Sequence, residues 1–197
     1  MDTGVGGRKA GHCAGYVSEI GRGTGASLIF PVLAVGLYSW KAIATEVDEL
    51  ALENCQRIVQ ENGLEGEIRL IRTTINAIIA DLPTDLDYQV TICNPPFYDS
   101  CDASDVVAKP ARSNGYEGTT TELATPGGEV AFVKQYILET WRRRKPEVWY
   151  TSMLGVKRHL DTLQVYLRTQ FPGVSTCSRT LKQGQTWRWG LAWQFTV

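Results

Sequence analysis

Asn94, Pro95, Pro96 and Phe97 follow directly on the apolar run VTIC at residues 90–93. Two successive prolines fix the backbone and remove two N–H donors. The Pro95 carbonyl and the Asn94 side-chain oxygen are then left as acceptors. Two such acceptors can hold both N–H groups of an exocyclic amine and turn its nitrogen lone pair toward a reaction partner. Phe97 adds a flat apolar face on which a base can stack. As the end of a strand in an open α/β sheet, these residues would lie at the carboxyl edge, where such sheets bind ligands.

Two further features suit a ligand at the same edge. Gly21-Arg22-Gly23-Thr24-Gly25-Ala26 stands between an expected strand and an expected helix. Glycines there let the backbone turn tightly and approach a ligand, and the helix start offers free N–H groups. Glu46 follows about twenty residues later at the end of the next strand, where an acid can accept hydrogen bonds from both hydroxyls of a ribose. The pattern fits a dinucleotide loop and a methyl-donor loop almost equally, and an ordinary glycine turn with a solvated acid would look the same. Asp48 reads as the N-cap of the following helix.

Other residues read as structural. Cys93 and Cys101 flank the proline motif, but an amine nitrogen is already nucleophilic and needs no cysteine, so Cys93 is expected to be a buried strand residue. His12 and His159 have no metal-ligand spacing around them, and no metal is expected. Trp187, Trp189 and Trp193 alternate on one strand, which favours core packing over base stacking. The basic run 142–145 is first a helix end and second an RNA contact.

The elements that must position these groups follow from periodicity. Strands are expected at 16–20, 41–48, 67–71, 88–93 and 148–154, and helices at 27–37, 48–63, 129–144 and 157–170. In the helix at 48–63, Leu50, Leu52, Cys55, Ile58 and Val59 have helical spacing. Residues 174–181 and 186–195 form a closing hairpin around LKQGQT. Residues 99–126 are long, polar and rich in Gly, Ser and Thr, as functional loops are. Alternation of strand and helix predicts an α/β, doubly wound, Rossmann-like fold: a mostly parallel sheet with a C-terminal antiparallel hairpin.

The chain has 197 residues, 43% of them hydrophobic, which suits one domain at 16–197 after an irregular, Gly-rich segment at 1–15. Its net charge of -1 excludes a uniformly basic nucleic-acid binder but not a local basic face. Five scattered cysteines without a CxxC pair argue against a zinc site or disulfide framework and for a reducing compartment. No apolar run approaches the roughly 20 residues of a membrane span, and residues 1–15 lack the apolar segment of a signal peptide. An intracellular location, nucleus or cytoplasm, is expected.

The stretches GTGAS, ATEVD, CNPPF, GGEVAFVK, WYTSMLGVK and QGQTWRWGLAWQF, in this order, resemble the methyltransferase-10 domain family. That family includes adenine-N6 methyltransferases of U6 small nuclear RNA and of large-subunit ribosomal RNA. The resemblance implies S-adenosylmethionine as cofactor and RNA with an unpaired adenosine as partner. It assigns Gly23, Thr24, Gly25, Glu46 and Asn94 to the donor, and Asn94, Pro95, Pro96 and Phe97 to catalysis. Arg188 matches a basic position on the last hairpin that contacts RNA. Lys109, Arg112 and Tyr116 lie in the 99–126 loop, the expected lid or RNA clamp. Directly before GTG, where the family carries Asp-Ile, this chain has Gly21 and Arg22. The alternatives are methylation of a guanine amine or a protein glutamine, or an RNA-binding module that has lost catalysis.

Overall fold

A seven-stranded sheet in the order β3-β2-β1-β4-β7-β9-β8 organises the chain, flanked by four helices among the described residues. The structure, a computed structural model, describes residues 16–19, 27–95, 98–99, 124–145 and 147–196. The strands are β1 (Tyr16–Glu19), β2 (Lys41–Glu46), β3 (Ile68–Arg72), β4 (Val90–Ile92), β7 (Trp149–Leu154), β8 (Ser175–Gln183) and β9 (Thr186–Gln194). The helices are α1 (Ile29–Tyr38), α2 (Glu49–Glu61), α3 (Gly128–Arg143) and α4 (Lys157–Gln170). Strands β1, β2, β3, β4 and β7 run parallel, and β9 enters antiparallel to both β7 and β8. The expected α/β sheet with its closing hairpin is therefore present.

Local chemistry explains most boundaries. Pro31 is the third residue of α1, where a helix has no intrahelical partner for an N–H, so the ring is accommodated and buried. Five consecutive residues of β2, Ala42 to Glu46, are buried, as expected of a strand covered on both faces. Asp48 caps α2 by accepting a hydrogen bond from the Ala51 N–H at 2.9 Å. That helix buries Ala51, Cys55 and Val59, spaced four apart. Leu50, counted with its apolar face from the sequence, is 72% exposed, because its neighbour Ala51 is the residue directed at the sheet.

The main core lies between the sheet and the α3–α4 layer. Tyr136 of α3 packs edge-on against Tyr150 and Trp193, and its hydroxyl lies 2.5 Å from Thr91 Oγ1. The Trp193 N–H donates to Thr140 Oγ1 at 3.0 Å, so the indole is buried without an orphaned donor. Glu139 is buried in α3, and its Oε2 accepts from the backbone N–H groups of Ile78, Ile79 and Ala80 at 2.7–3.0 Å. This carboxylate holds the turn that leads toward β4.

Two expectations need correction, and a third, that the basic run is first a helix end, is met. The 99–126 stretch is not loop throughout, because β5 (Tyr98–Asp99) and β6 (Ala124–Thr125) pair in parallel near its two ends. The hairpin strands reach Gln183 and Thr186, leaving only Gly184 and Gln185 in the turn, with Gly184 at φ +60°. The basic run 142–145 is largely occupied with structural contacts. Arg143 donates to the Leu82 and Pro83 carbonyls, Lys145 donates to the Leu86 carbonyl, and Arg144 covers the Trp141 ring at 4.3 Å. These groups lie beyond the start of β7, at the edge of the sheet away from Asn94.

Candidate active site

The strand order changes direction between β1 and β4. Connections before this point build outward through β2 and β3, and those after it through β7. A crevice opens at the carboxyl ends of the strands at such a switch point. The last residue of β1, Glu19, sits opposite Ala44 of β2 and Ile92 of β4. The chain therefore leaves β1 between two strand ends, one carrying Glu46 and the other leading into Asn94.

Glu46 is buried, and its Oε1 accepts from the Val47 and Asp48 N–H groups at 2.8 and 2.9 Å. Its main-chain carbonyl accepts from Thr73 N–H, which ties the end of β2 to the segment after β3. The result is a carboxylate locked in position at the carboxyl edge, not a mobile surface acid. This geometry suits a pair of ribose hydroxyls, which require fixed acceptors.

Beyond β4, Cys93 and Pro95 are buried while Asn94 between them is exposed. Cys93 is a strand-end core residue, as expected, and its carbonyl accepts from Met153 N–H at 2.8 Å. That bond extends the β4–β7 alignment by one step and presents Asn94 at the mouth of the crevice. Gly23, Thr24 and Gly25 of the expected donor loop lie outside the described residues, as do Pro96, Phe97, Lys109, Arg112 and Tyr116.

The segment entering α3 is held close to the same edge. Gly127 and Gly128 both have positive φ, and a Cβ on Gly127 would come within 2.7 Å of the Ala131 Cβ, so this turn requires glycine. It delivers Glu129, buried in the first turn of α3. Glu129 Oε1 accepts from Gly155 N–H at 2.6 Å, and Oε2 lies 2.7 Å from His159 Nδ1. One carboxylate thus joins the start of α3, the end of β7 and the start of α4. Burial pushes its pKa up from 4.5, while the Gly155 N–H, the His159 ring and the Arg188 charge pull it back down. Sequence separation had set His159 apart from the other motifs, and only the fold brings it to Glu129.

An apolar cleft of about 270 Å³ lies alongside, lined by Phe30, Ile92, Cys93, Met153, Leu181 and Gly190 among others. Thr91 faces Tyr136 of α3, so its neighbour Ile92 and this cleft belong to the opposite face of the sheet. Among the described residues no group of three or more His, Cys, Asp or Glu could hold a metal ion. None of the described helices is long and apolar enough to cross a membrane.

The tryptophans of β9 divide. Trp193 is fully buried, Trp189 packs partly against the core, and Trp187 is 50% exposed. Core packing was expected for all three, but β7 ends at Leu154, opposite Trp189, and leaves Trp187 beyond the layer that would cover it. Arg188 is half-buried on the same projecting segment and donates from Nη1 to the Trp187 carbonyl at 3.1 Å.

Comparison with known proteins accounts for this arrangement. A family model described as RNA methyltransferase matches residues 6–197. The RNA N(6)-adenosine-methyltransferase METTL16 of Homo sapiens is 35% identical over 182 residues, covering 88% of this chain and 32% of its own length. Ribosomal RNA large subunit methyltransferase F of Salmonella paratyphi B is 33% identical over 185 residues, covering 88% of this chain and 60% of its own. The chain therefore spans about a third of the first relative's length and 60% of the second's. Among solved structures, the hMettl16 catalytic domain in complex with a MAT2A 3'UTR hairpin superposes with a TM-score of 0.79 at 34% identity, over 92% of this chain and 64% of that one. The N-terminal domain of human METTL16 in complex with SAH gives a TM-score of 0.69 at 31% identity, over 93% of this chain and 62% of that one.

Proposed function

The chain belongs to this RNA methyltransferase family, and on that premise we propose that it methylates the exocyclic N6 amine of an unpaired adenosine in RNA, using S-adenosylmethionine. The observation that carries the reading is the placement of Glu46 and Asn94 on the two sides of the β1 exit, at the switch point of the sheet. The relatives named for RNA adenosine methylation, and the related structure with SAH, support the same chemistry.

Bound S-adenosylmethionine supplies an electrophilic methyl group. Glu46, held by two backbone N–H groups, would accept from the ribose hydroxyls, and Gly23, Thr24 and Gly25 are the further residues assigned to the donor. Asn94 Oδ1 and the Pro95 carbonyl would each accept a hydrogen bond from the adenine amine and so orient its nitrogen lone pair, and the amine proton displaced by the methyl group would pass to solvent. Phe97 stacks on the base. No residue needs to bond covalently to substrate, and positioning supplies most of the rate. The adenosine must be unpaired or flipped, since a paired N6 is engaged inside the duplex. Lys109 and Arg112, in the stretch of sequence between β5 and β6, hold RNA together with Arg188. With an RNA substrate, the nucleus or cytoplasm is the proposed location.

Incubating the chain with labelled S-adenosylmethionine and total RNA, followed by nucleoside analysis, tests the proposal. Label in N6-methyladenosine is expected. Label in a guanosine or in protein would redirect the assignment to another amine, and absence of donor binding would make the chain a binding module without catalysis.

A further inference from the structure

The β8–β9 hairpin from Ser175 to Gln194 carries Arg179, Lys182 and Arg188 and no Asp or Glu, in a chain whose net charge is -1. It is a local cationic arm on a near-neutral protein. Its tip extends past β7: the last β7–β9 pair is Leu154 with Trp189, while Trp187 and Arg188 pair only with Lys182 and Leu181 of β8. The tip therefore projects from the carboxyl edge, the edge that presents Asn94.

Trp187 is 50% exposed at this tip. Lys182, its direct cross-strand partner, places Nζ 5.5 Å from the ring centroid. An indole braced by a cation, in a hairpin whose charged residues are all cations, matches a polyanion that also offers flat apolar rings. Unpaired nucleotides have both features, since every base has a π-face and every nucleotide a phosphate. A protein partner would need acidic groups to meet the same cations, and it would leave the planarity of the ring unused.

We propose that Trp187 is a stacking platform for an unpaired base of the bound RNA, with Lys182 on the same face of the hairpin and Arg188 on the opposite face as phosphate contacts, outside the pocket that holds the methylated adenosine. The proposal rests on the RNA methyltransferase reading and adds a specificity element to it. The platform selects RNA with single-stranded character next to the target, and the cations supply salt-dependent affinity for any RNA.

The test measures binding of an RNA hairpin with an adenosine-containing loop, and of a blunt duplex of equal length, across a salt series. Trp187→Leu keeps apolar bulk without a π-face, and Trp187→Phe keeps a smaller one. Loop RNA should bind Trp187→Leu roughly tenfold or more weakly, with Trp187→Phe in between, while duplex binding and the salt slope stay native. Arg188→Ala should instead lower the salt slope for both RNAs. Thermal melting of each variant and titration with S-adenosylmethionine should match the native chain. Native loop binding by Trp187→Leu overturns the proposal, as does an equal loss for loop and duplex. Failure of the native chain to bind either RNA overturns both this proposal and the RNA reading beneath it.

Discussion

Glu129 Oε2 and His159 Nδ1 lie 2.7 Å apart although thirty residues separate them, and the same carboxylate takes the Gly155 N–H on its other oxygen. Burial raises the Glu129 pKa above 4.5, against the pull of its partners, so the folded state binds the Glu129 proton more tightly than the unfolded chain. Its contribution to stability is fully present below about pH 4.5 and is lost as pH rises through the elevated folded value. Glu129→Gln should remove this decline. Melting temperatures of both proteins over roughly pH 4 to 8 check it, and parallel curves would show that folding leaves the Glu129 pKa unshifted.

Glu46→Ala should weaken S-adenosylmethionine by about 1–3 kcal/mol, the value of a hydrogen bond to a charged acceptor. The Val47 and Asp48 N–H groups that it holds can turn to water at the strand end, so the fold should survive. Calorimetric titration reads the affinity. Unchanged affinity removes Glu46 from the donor site.

Asn94→Ala should abolish methyl transfer and leave donor binding nearly native. Asn94 is exposed between buried Cys93 and Pro95, so its loss opens no cavity. The amine keeps one acceptor and can rotate, and a displacement of about 1 Å costs on the order of a hundredfold in rate. Phe97→Ala should act mainly on capture of the base. Single-turnover methylation and donor titration on the same variants separate the two effects. Near-native turnover by Asn94→Ala would mean that the motif is not the catalytic centre.

Glu139→Ala should be far more damaging to stability than its position on a helix surface pattern suggests. It would leave three backbone N–H groups, those of Ile78, Ile79 and Ala80, without their acceptor. Each buried N–H left unsatisfied costs about 1–3 kcal/mol, so a loss of several kcal/mol is expected, with Glu139→Gln intermediate because an amide oxygen still accepts. Urea unfolding measures it, and a loss below about 1 kcal/mol would show that water replaces the carboxylate.

Much of this architecture is legible along the chain. Helical spacing and capping locate α2 and its Asp48 cap, and the expected bounds of α4, residues 157–170, are those observed. Strand-end placement of Glu46 and Asn94 follows from local sequence plus the rule for parallel sheets. What escapes is decided by distant partners. Glu139 resembles any helix acid until residues 78–80 are folded onto it, and His159 has no visible companion until α3 and α4 meet. Trp187 and Trp193 carry the same periodic signal, and only the length of the neighbouring strand makes one core and the other surface. Leu50 misleads for a related reason: an apolar residue at helical spacing is buried only if the sheet lies on its side.

The sheet order has a kinetic consequence. Strand β4, three residues long, finds one neighbour in Val17–Glu19 and the other in Trp149 and Tyr150, and neither is local. Contacts of this range must close large loops before they are rewarded, which makes folding slow. During synthesis, residues 90–95 emerge long before β7 and its Met153 N–H, which fixes the Cys93 carbonyl. The edge bearing Asn94 therefore forms only after the chain has been made through β7, and until then residues 90–95 lack one of their two strand neighbours.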